Sequence, residues 1–73
     1  MNIDKIIAKM KSQPNGIRHE EATKILEYAV YHLNRQKDSH MQFINDKGDV
    51  FTLKKENPLK AVYTKKILSR INR

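Results

Sequence analysis

The chain contains no cysteine and only two glycines and two prolines. The lack of cysteine excludes disulfide bonds and thiolate metal sites, and so few glycines and prolines leave no room for a low-complexity linker. No apolar run approaches the roughly 20 residues that span a bilayer, and the N-terminus lacks the apolar core of a signal peptide. We therefore expect a cytoplasmic protein, and 73 residues predict a single domain, 1–73, with a small core.

Acidic residues are scarce in the last third of the sequence. From residue 54 onwards Glu56 stands alone against seven cations, so this segment holds six of the seven net positive charges of the chain: Lys54, Lys55, Lys60, Lys65, Lys66, Arg70 and Arg73. A cationic surface of this kind attracts polyanions, and nucleic acid is the partner class that it favours. The alternative is a solvated helix face that only keeps the protein soluble.

Helical spacing recurs at both ends of the chain. The first helix is predicted from one stripe of apolar residues at i, i+3, i+4 and i+7, namely Ile3, Ile6, Ile7 and Met10. After a break at residues 13–16, the same spacing predicts a second helix from about His19 to Tyr28. A third helix follows Asn57-Pro58, and its apolar residues repeat every four positions: Leu59, Tyr63, Ile67 and Ile71. Its other sides carry Lys60, Lys65, Lys66, Arg70 and Arg73.

Three short strands lie between the second and third helices. Asp46-Lys47-Gly48 is typical of a three-residue hairpin loop with Gly48 at positive φ. That loop pairs Phe43 with Phe51 and His40 with Lys54. Because side chains alternate along a strand, the register gathers the apolar residues on one face and leaves His40 on the other.

The first hairpin allows two loops. A three-residue loop, residues 37–39, pairs Gln36 with His40 and Leu33 with Phe43, whereas a two-residue loop places Leu33 opposite Gln42. The hydrophobic pattern favours the three-residue loop, so Arg35 shares the core side with Leu33. The predicted core face is then Tyr31, Leu33, Met41, Phe43, Phe51 and Leu53. The predicted open face is Asn34, Gln36, His40, Gln42, Thr52 and Lys54.

The element order is therefore α-α-β-β-β-α. Three antiparallel strands with helices on one face form an α+β two-layer sandwich. The second face of such a sheet is free to bind a partner.

Residues 35–43, RQKDSHMQF, resemble the RQKGSHxxF signature of HicA toxins, the YcfA-like group. The likeness extends to Asn15-Gly16-Ile17-Arg18, Gly48-Asp49 and Asn57-Pro58, and covers essentially the whole chain. It implies a double-stranded-RNA-binding-domain-like fold and a bacterial toxin that cuts mRNA without a metal ion or other cofactor. It also implies neutralisation by a HicB antitoxin, and it maps the catalytic histidine of the family onto His40.

Two positions depart from the family pattern. Asp38 stands where the family usually has glycine, which puts a negative charge two residues from His40, where phosphate should approach. Aspartate tolerates a left-handed turn position better than most residues, so the fold need not suffer. Residues 54–57 replace a proline-histidine stretch that often follows the third strand of the family.

His40 is the predicted catalytic residue, since a general base must reach the ribose 2′-hydroxyl whose alkoxide attacks the adjacent phosphate. Lys54 or Lys37 can offset the charge that develops there, although an edge-strand lysine can also serve only to discourage aggregation. The full predicted RNA-binding set is Gln36, Lys37, Ser39, Lys54, Lys55, Lys65 and Lys66. Three scattered histidines without cysteine predict no zinc site.

Two alternatives use the same surface. One is a non-catalytic RNA-binding module, and the other is a module that works only in the antitoxin complex, with Asp38 marking lost activity. Cleavage of RNA separates the toxin from both, and binding that is sensitive to salt but without cleavage favours the first of them.

Overall fold

The computed structural model describes residues 2–71, so the predicted cation Arg73 lies outside the described residues. Its helices are α1 (Ile3–Ser12), α2 (His19–Tyr28) and α3 (Ala61–Ile71), and a 3₁₀ turn spans Pro14–Gly16. Its strands are β1 (His32–Lys37), β2 (His40–Ile44) and β3 (Val50–Lys54), which form one antiparallel sheet in the order β1-β2-β3. The predicted α+β class and the order α-α-β-β-β-α are confirmed.

One apolar core joins the helices to one face of the sheet. Its sheet residues include Met41, Phe43, Phe51 and Leu53, as the sequence predicted, and its helix residues include Ile6, Met10, Ile25, Leu26 and Ile67. The prediction for Leu33 is wrong, because its side chain is 47% exposed. β1 is an edge strand, so Leu33 has a neighbouring strand on one side only.

The segment after β3 is held against the start of α2. The side chain of Asn57 accepts a hydrogen bond from the His19 N–H at 2.9 Å and donates one to Glu20 at 3.3 Å. The Leu59 N–H donates to the Ile17 carbonyl at 2.8 Å. Backbone N–H groups in the first turn of a helix have no partner within the helix, so Asn57 acts as a cap supplied from a distant part of the chain.

A polar cluster fixes α3 to the far end of the sheet. The carboxylate of Asp49 accepts hydrogen bonds from the Tyr31 hydroxyl and from the Arg70 guanidinium, and Arg70 also donates to the Val50 carbonyl at 3.2 Å. Burial raises the pKa of Tyr31, and the hydrogen bond to Asp49 raises it further. Arg70 therefore does not belong to the outward cationic side of α3, where the sequence pattern had placed it.

Helix α2 ends in a left-handed residue. The Tyr31 N–H donates to the Leu26 carbonyl at 2.9 Å and the Val30 N–H donates to the Glu27 carbonyl at 3.0 Å, which is the bonding of a Schellman motif. Val30 has φ +68° and its side chain is 65% exposed. Glycine is the usual residue at this position, and a β-branched residue there is strained.

None of the helices within residues 2–71 combines the length and the apolar character needed to cross a membrane.

Candidate nucleic-acid interface

The hairpin of β2 and β3 has the predicted register. His40 pairs with Lys54, Gln42 with Thr52, and Phe43 with Phe51. Gly48 has φ +82°, and the Asn45 N–H donates to the Asp49 carbonyl across the loop at 3.1 Å. Phe43 and Phe51 are buried and His40 is exposed, which confirms that His40 lies on the sheet face away from the helices.

The first hairpin differs from the prediction because β1 contains a bulge. Leu33 pairs with Phe43 as predicted, but Lys37 pairs with His40, so the loop has only the two residues Asp38 and Ser39. The register shifts between Leu33 and Arg35, where an extra residue, Asn34, is accommodated. A bulge places two residues of one strand against one of its partner, here Gln42. One inserted residue therefore allows the Leu33–Phe43 pairing expected for the three-residue loop to coexist with a two-residue loop.

The bulge changes which side chains share the face of His40. Arg35 now pairs with Gln42 and Lys37 with His40, so both cations lie on the open face. The prediction that Arg35 lies on the core side is wrong. Gln36 pairs with Met41 instead of lying on the open face as predicted, and its amide donates to the Asp38 carbonyl at 3.3 Å.

The open face contains a depression with a volume of about 220 Å³. Side chains from all three strands line it: Arg35, Lys37, His40, Gln42 and Thr52. Of these residues, His40 and Lys37 were predicted to belong to the site from the sequence. Gln42 and Thr52 were predicted only to lie on the open face, and Arg35 was predicted to lie on the other face. The loop residue Asp38 was an available signal for the two-residue loop, because aspartate tolerates the positive φ that such hairpin loops require.

Lys54 lies beside the depression and does not line it. It is the cross-strand neighbour of His40, and its ammonium nitrogen is 3.8 Å from a carboxylate oxygen of Glu56. The other carboxylate oxygen of Glu56 is buried and has no hydrogen-bond partner in the described structure. The predicted phosphate contact of Lys54 therefore competes with a carboxylate of the same chain.

The remaining predicted RNA contacts fall into two groups. Ser39 lies in the hairpin loop beside His40, and its carbonyl accepts a hydrogen bond from the Lys55 N–H at 2.6 Å, which extends the β2–β3 pairing by one step. Lys65 and Lys66 are exposed on α3, in the helix layer on the other side of the sheet. The structure therefore does not bring them together with His40.

Asp38 occupies a left-handed position, with φ +54°. It is the first of the two loop residues, and a positive φ there is typical of glycine in a hairpin turn. Aspartate adopts this conformation more readily than most residues, as expected from the sequence. Its carboxylate is exposed at the end of the sheet where Lys37 and His40 pair.

Charge is distributed unevenly along the open face. The end next to the first hairpin loop carries Lys37, His40 and Lys54. The opposite end, where His32 and Val50 both pair with Ile44, is largely apolar, and Val50 is 42% exposed. The carboxylates of Asp38 and Glu56 lie at the same end and offset two of its three lysines, which are Lys37, Lys54 and Lys55, so an anion meets a small excess of positive charge there.

Within residues 2–71, no group of three or more histidine, cysteine, aspartate or glutamate side chains is arranged to hold a metal ion.

The fold and the depression describe a small α+β domain with a histidine on an open, cationic sheet face. Comparison with protein-family models, with curated proteins and with solved structures finds no match to this chain. The resemblance to HicA toxins therefore rests on the residues quoted above, and the likeness to double-stranded-RNA-binding domains stays a prediction.

Proposed function

We propose that this chain is a HicA-like toxin, an endoribonuclease that cuts mRNA with His40 as general base. The observation that carries the proposal is the setting of His40, which is exposed at the cationic end of the open face between its cross-strand neighbours Lys37 and Lys54. A general base on a solvent-accessible cationic surface can reach the RNA backbone without displacing any part of the core.

The proposed reaction uses the RNA itself as the nucleophile. The imidazole of His40 accepts the proton of a ribose 2′-hydroxyl, and O2′ forms a bond to the adjacent phosphorus while the bond from phosphorus to the next 5′-oxygen breaks. The products are a 2′,3′-cyclic phosphate and a 5′-hydroxyl, whose proton comes from water or from a second group. Lys37, with Lys54, offsets the negative charge that grows on the phosphoryl oxygens.

Turnover is expected to be slow, because within residues 2–71 the other histidine of this sheet face, His32, is too far away to protonate the leaving oxygen. His32, on the same face, pairs with Ile44, four residues from His40 along β2, or about 13 Å. As proposed, the reaction uses the 2′-hydroxyl of the RNA as nucleophile and His40 as its base, so no step is assigned to a metal ion or cofactor.

The partners that the proposal names are mRNA and a HicB-like antitoxin, both met in the cytoplasm. A protein that binds over the open face would cover His40 and the cations beside it at the same time. Blocking the access of RNA to these residues would be enough to neutralise the toxin. A HicB-like coding sequence next to the gene for this chain would support the proposal.

The test is incubation of the pure protein with single-stranded RNA in the presence of EDTA. His40→Ala should abolish cleavage and retain the fold and most of the RNA affinity, because contacts to phosphate dominate affinity. His32→Ala is the matched control, since it removes an exposed histidine from the other end of the same face. A 2′-deoxy nucleotide at the cut position should block the reaction.

Three results would count against the assignment. Cleavage by His40→Ala at the parental rate removes His40 from the reaction, and inhibition by EDTA contradicts a metal-independent mechanism. Binding of RNA by the parent without any cleavage would favour the alternative, a non-catalytic RNA-binding or antitoxin-binding module of the same fold.

A further inference from the structure

Gln42 lines the depression, and its side-chain amide is in contact with that of Asn34, which lies beside the depression. Gln42, on the central strand, accepts a hydrogen bond from the Asn34 side chain, with 2.9 Å between Asn34 Nδ2 and Gln42 Oε1. Asn34 is the extra residue of the bulge, so the bulge is what brings its amide next to Gln42. This bond fixes the orientation of the Gln42 amide and leaves its NH₂ group and the Asn34 carbonyl oxygen available to a ligand.

Neutral and charged groups are separated within the depression. Gln42 and Thr52 are cross-strand neighbours without charge, whereas Arg35, Lys37 and His40 carry the cationic and titratable groups. A ligand that consists of phosphate alone would not bind to the side-chain amides of Gln42 and Asn34. A nucleotide, whose base is neutral and whose phosphate is anionic, matches both parts.

The spacing along β2 matches the same ligand. Gln42 and His40 are two residues apart on one face, so their side chains leave the strand about 7 Å from each other. A nucleobase held by Gln42 therefore lies about one nucleotide's breadth from His40, the residue that accepts the proton of the ribose 2′-hydroxyl. Arg35, paired with Gln42 across the bulge, supplies a planar guanidinium that can stack on a nucleobase.

We propose that this depression holds one unpaired nucleobase of the RNA, and that Gln42 is the residue that reads its polar edge. Asn34 positions Gln42, and Arg35 covers the face of the base. The inference rests on the proposed function in that it takes RNA as the ligand, but it concerns recognition and not cleavage. It makes single-stranded RNA the substrate class, because bases in a duplex already use their polar edges for pairing.

The experiment uses the full chain with His40→Ala, so that RNA stays uncut. The probes are four hexaribonucleotides in which the third position carries adenine, cytosine, guanine or uracil and the other five positions are abasic, which prevents the chain from sliding to another base. Affinities are measured by fluorescence anisotropy for this protein and for versions with a further Gln42→Met or Gln13→Met change. Gln13 is an exposed glutamine between α1 and α2, so it provides the same chemical change away from the sheet.

The protein with Gln42 should distinguish the four hexamers, with roughly a 5-fold or larger difference in Kd between best and worst, because a paired hydrogen-bond readout discriminates bases to this degree. Gln42→Met should bring the four Kd values to within about 2-fold of one another, while Gln13→Met leaves their order unchanged. Circular dichroism melting curves verify that all three proteins are folded.

Two outcomes would overturn the inference. If the hexamers bind equally to the protein with Gln42, or if Gln42→Met preserves the ranking, the amide pair does not read a base. Neither result bears on cleavage, which is measured separately with the His40-containing chain. If that chain cuts RNA while all hexamers fail to bind, the recognition proposal fails alone; if RNA is neither bound nor cut, the proposed function fails with it.

Discussion

The guanidinium carbon of Arg70 lies 5.0 Å from the centre of the Phe51 ring. This cation–π contact belongs to the cluster in which Arg70 and Tyr31 share the carboxylate of Asp49. A cation that the sequence pattern assigned to the solvent side of α3 is thus used to attach that helix to the sheet. The stability of the cluster depends on Tyr31 keeping its proton.

The first prediction concerns stability at high pH. The pKa of Tyr31 is raised in the folded protein, by burial and then by its bond to Asp49, so the folded state holds this proton more tightly than the unfolded chain does. Its contribution to stability is therefore complete below the unfolded value of about 10 and is lost as pH rises through the folded value. The measurement is urea unfolding between pH 9 and pH 12, a range that spans the unfolded tyrosine pKa of ~10. Over this range the free energy of unfolding should fall further for the parent than for Tyr31→Phe.

At neutral pH the parent should be the more stable protein, because Tyr31→Phe loses a hydrogen bond to a carboxylate, at a cost of about 1.5–3 kcal/mol. Equal pH dependence in the two proteins would show that Tyr31 does not control this region. Tyr28→Phe, at a half-exposed tyrosine on α2, is the control for removal of a phenol.

The second prediction concerns the end of α2. Val30→Gly should stabilise the protein by about 1 kcal/mol, because the left-handed conformation costs an L-residue that much and glycine little. Val30→Ala keeps the backbone cost and removes most of the side chain, so it should change stability far less. Thermal and urea denaturation measure both, and a glycine variant less stable than the alanine variant would contradict the strain at φ +68°.

The third prediction separates strain from charge at Asp38. Asp38→Gly relieves the left-handed backbone and removes the carboxylate, whereas Asp38→Asn removes only the charge and keeps a residue that tolerates positive φ. Both should speed RNA cleavage if the carboxylate repels phosphate beside His40. Only the glycine variant should also raise the melting temperature. Cleavage unchanged in both variants would show that Asp38 does not restrain activity.

The fourth prediction concerns Lys65 and Lys66, which lie on the other side of the sheet from His40. For a hexamer bound on the open face, Lys37→Ala should lower the slope of log affinity against log salt by about 0.7, the value for one phosphate contact to single-stranded RNA. The double change Lys65→Ala, Lys66→Ala should leave that slope unaltered. With RNA long enough to pass around the sheet, the double variant should lower the slope as well.

An unchanged slope for long RNA would assign the α3 lysines to solubility alone. A reduced slope for the hexamer would mean that short RNA binds to the helix layer instead of the open face.

The extent to which the sequence predicts this structure differs between the two hairpins. The second hairpin follows from local chemistry, because Gly48 marks the loop and two phenylalanines fix the register. The first hairpin cannot be derived in the same way, since a strand with a bulge satisfies both the apolar pairing of Leu33 and a two-residue loop. Alternation along the strand assumes regular pairing, and Asn34 interrupts it.

Interactions between distant parts of the chain were also beyond the sequence pattern. Thr64 falls within the apolar stripe of α3 and is fully buried, because its hydroxyl donates to the Pro14 carbonyl at 3.0 Å. Arg70 stays partly exposed but is held against the end of the sheet by Asp49, a residue 21 positions earlier. Periodicity identifies the helix in both cases, but only tertiary contacts decide which of its polar residues bond to the rest of the fold.

The uneven charge of the open face gives it a direction. At the end next to the first hairpin loop, the lysines Lys37, Lys54 and Lys55 outnumber the carboxylates of Asp38 and Glu56 by one, whereas Ile44 and Val50 at the other end are uncharged. The face therefore carries a weak electric dipole along the strands. An approaching polyanion experiences a torque as well as an attraction, so it is turned towards the hairpin end before any contact forms. Its rate of capture and its alignment are therefore governed by the same few side chains, and both should decline together as salt screens them.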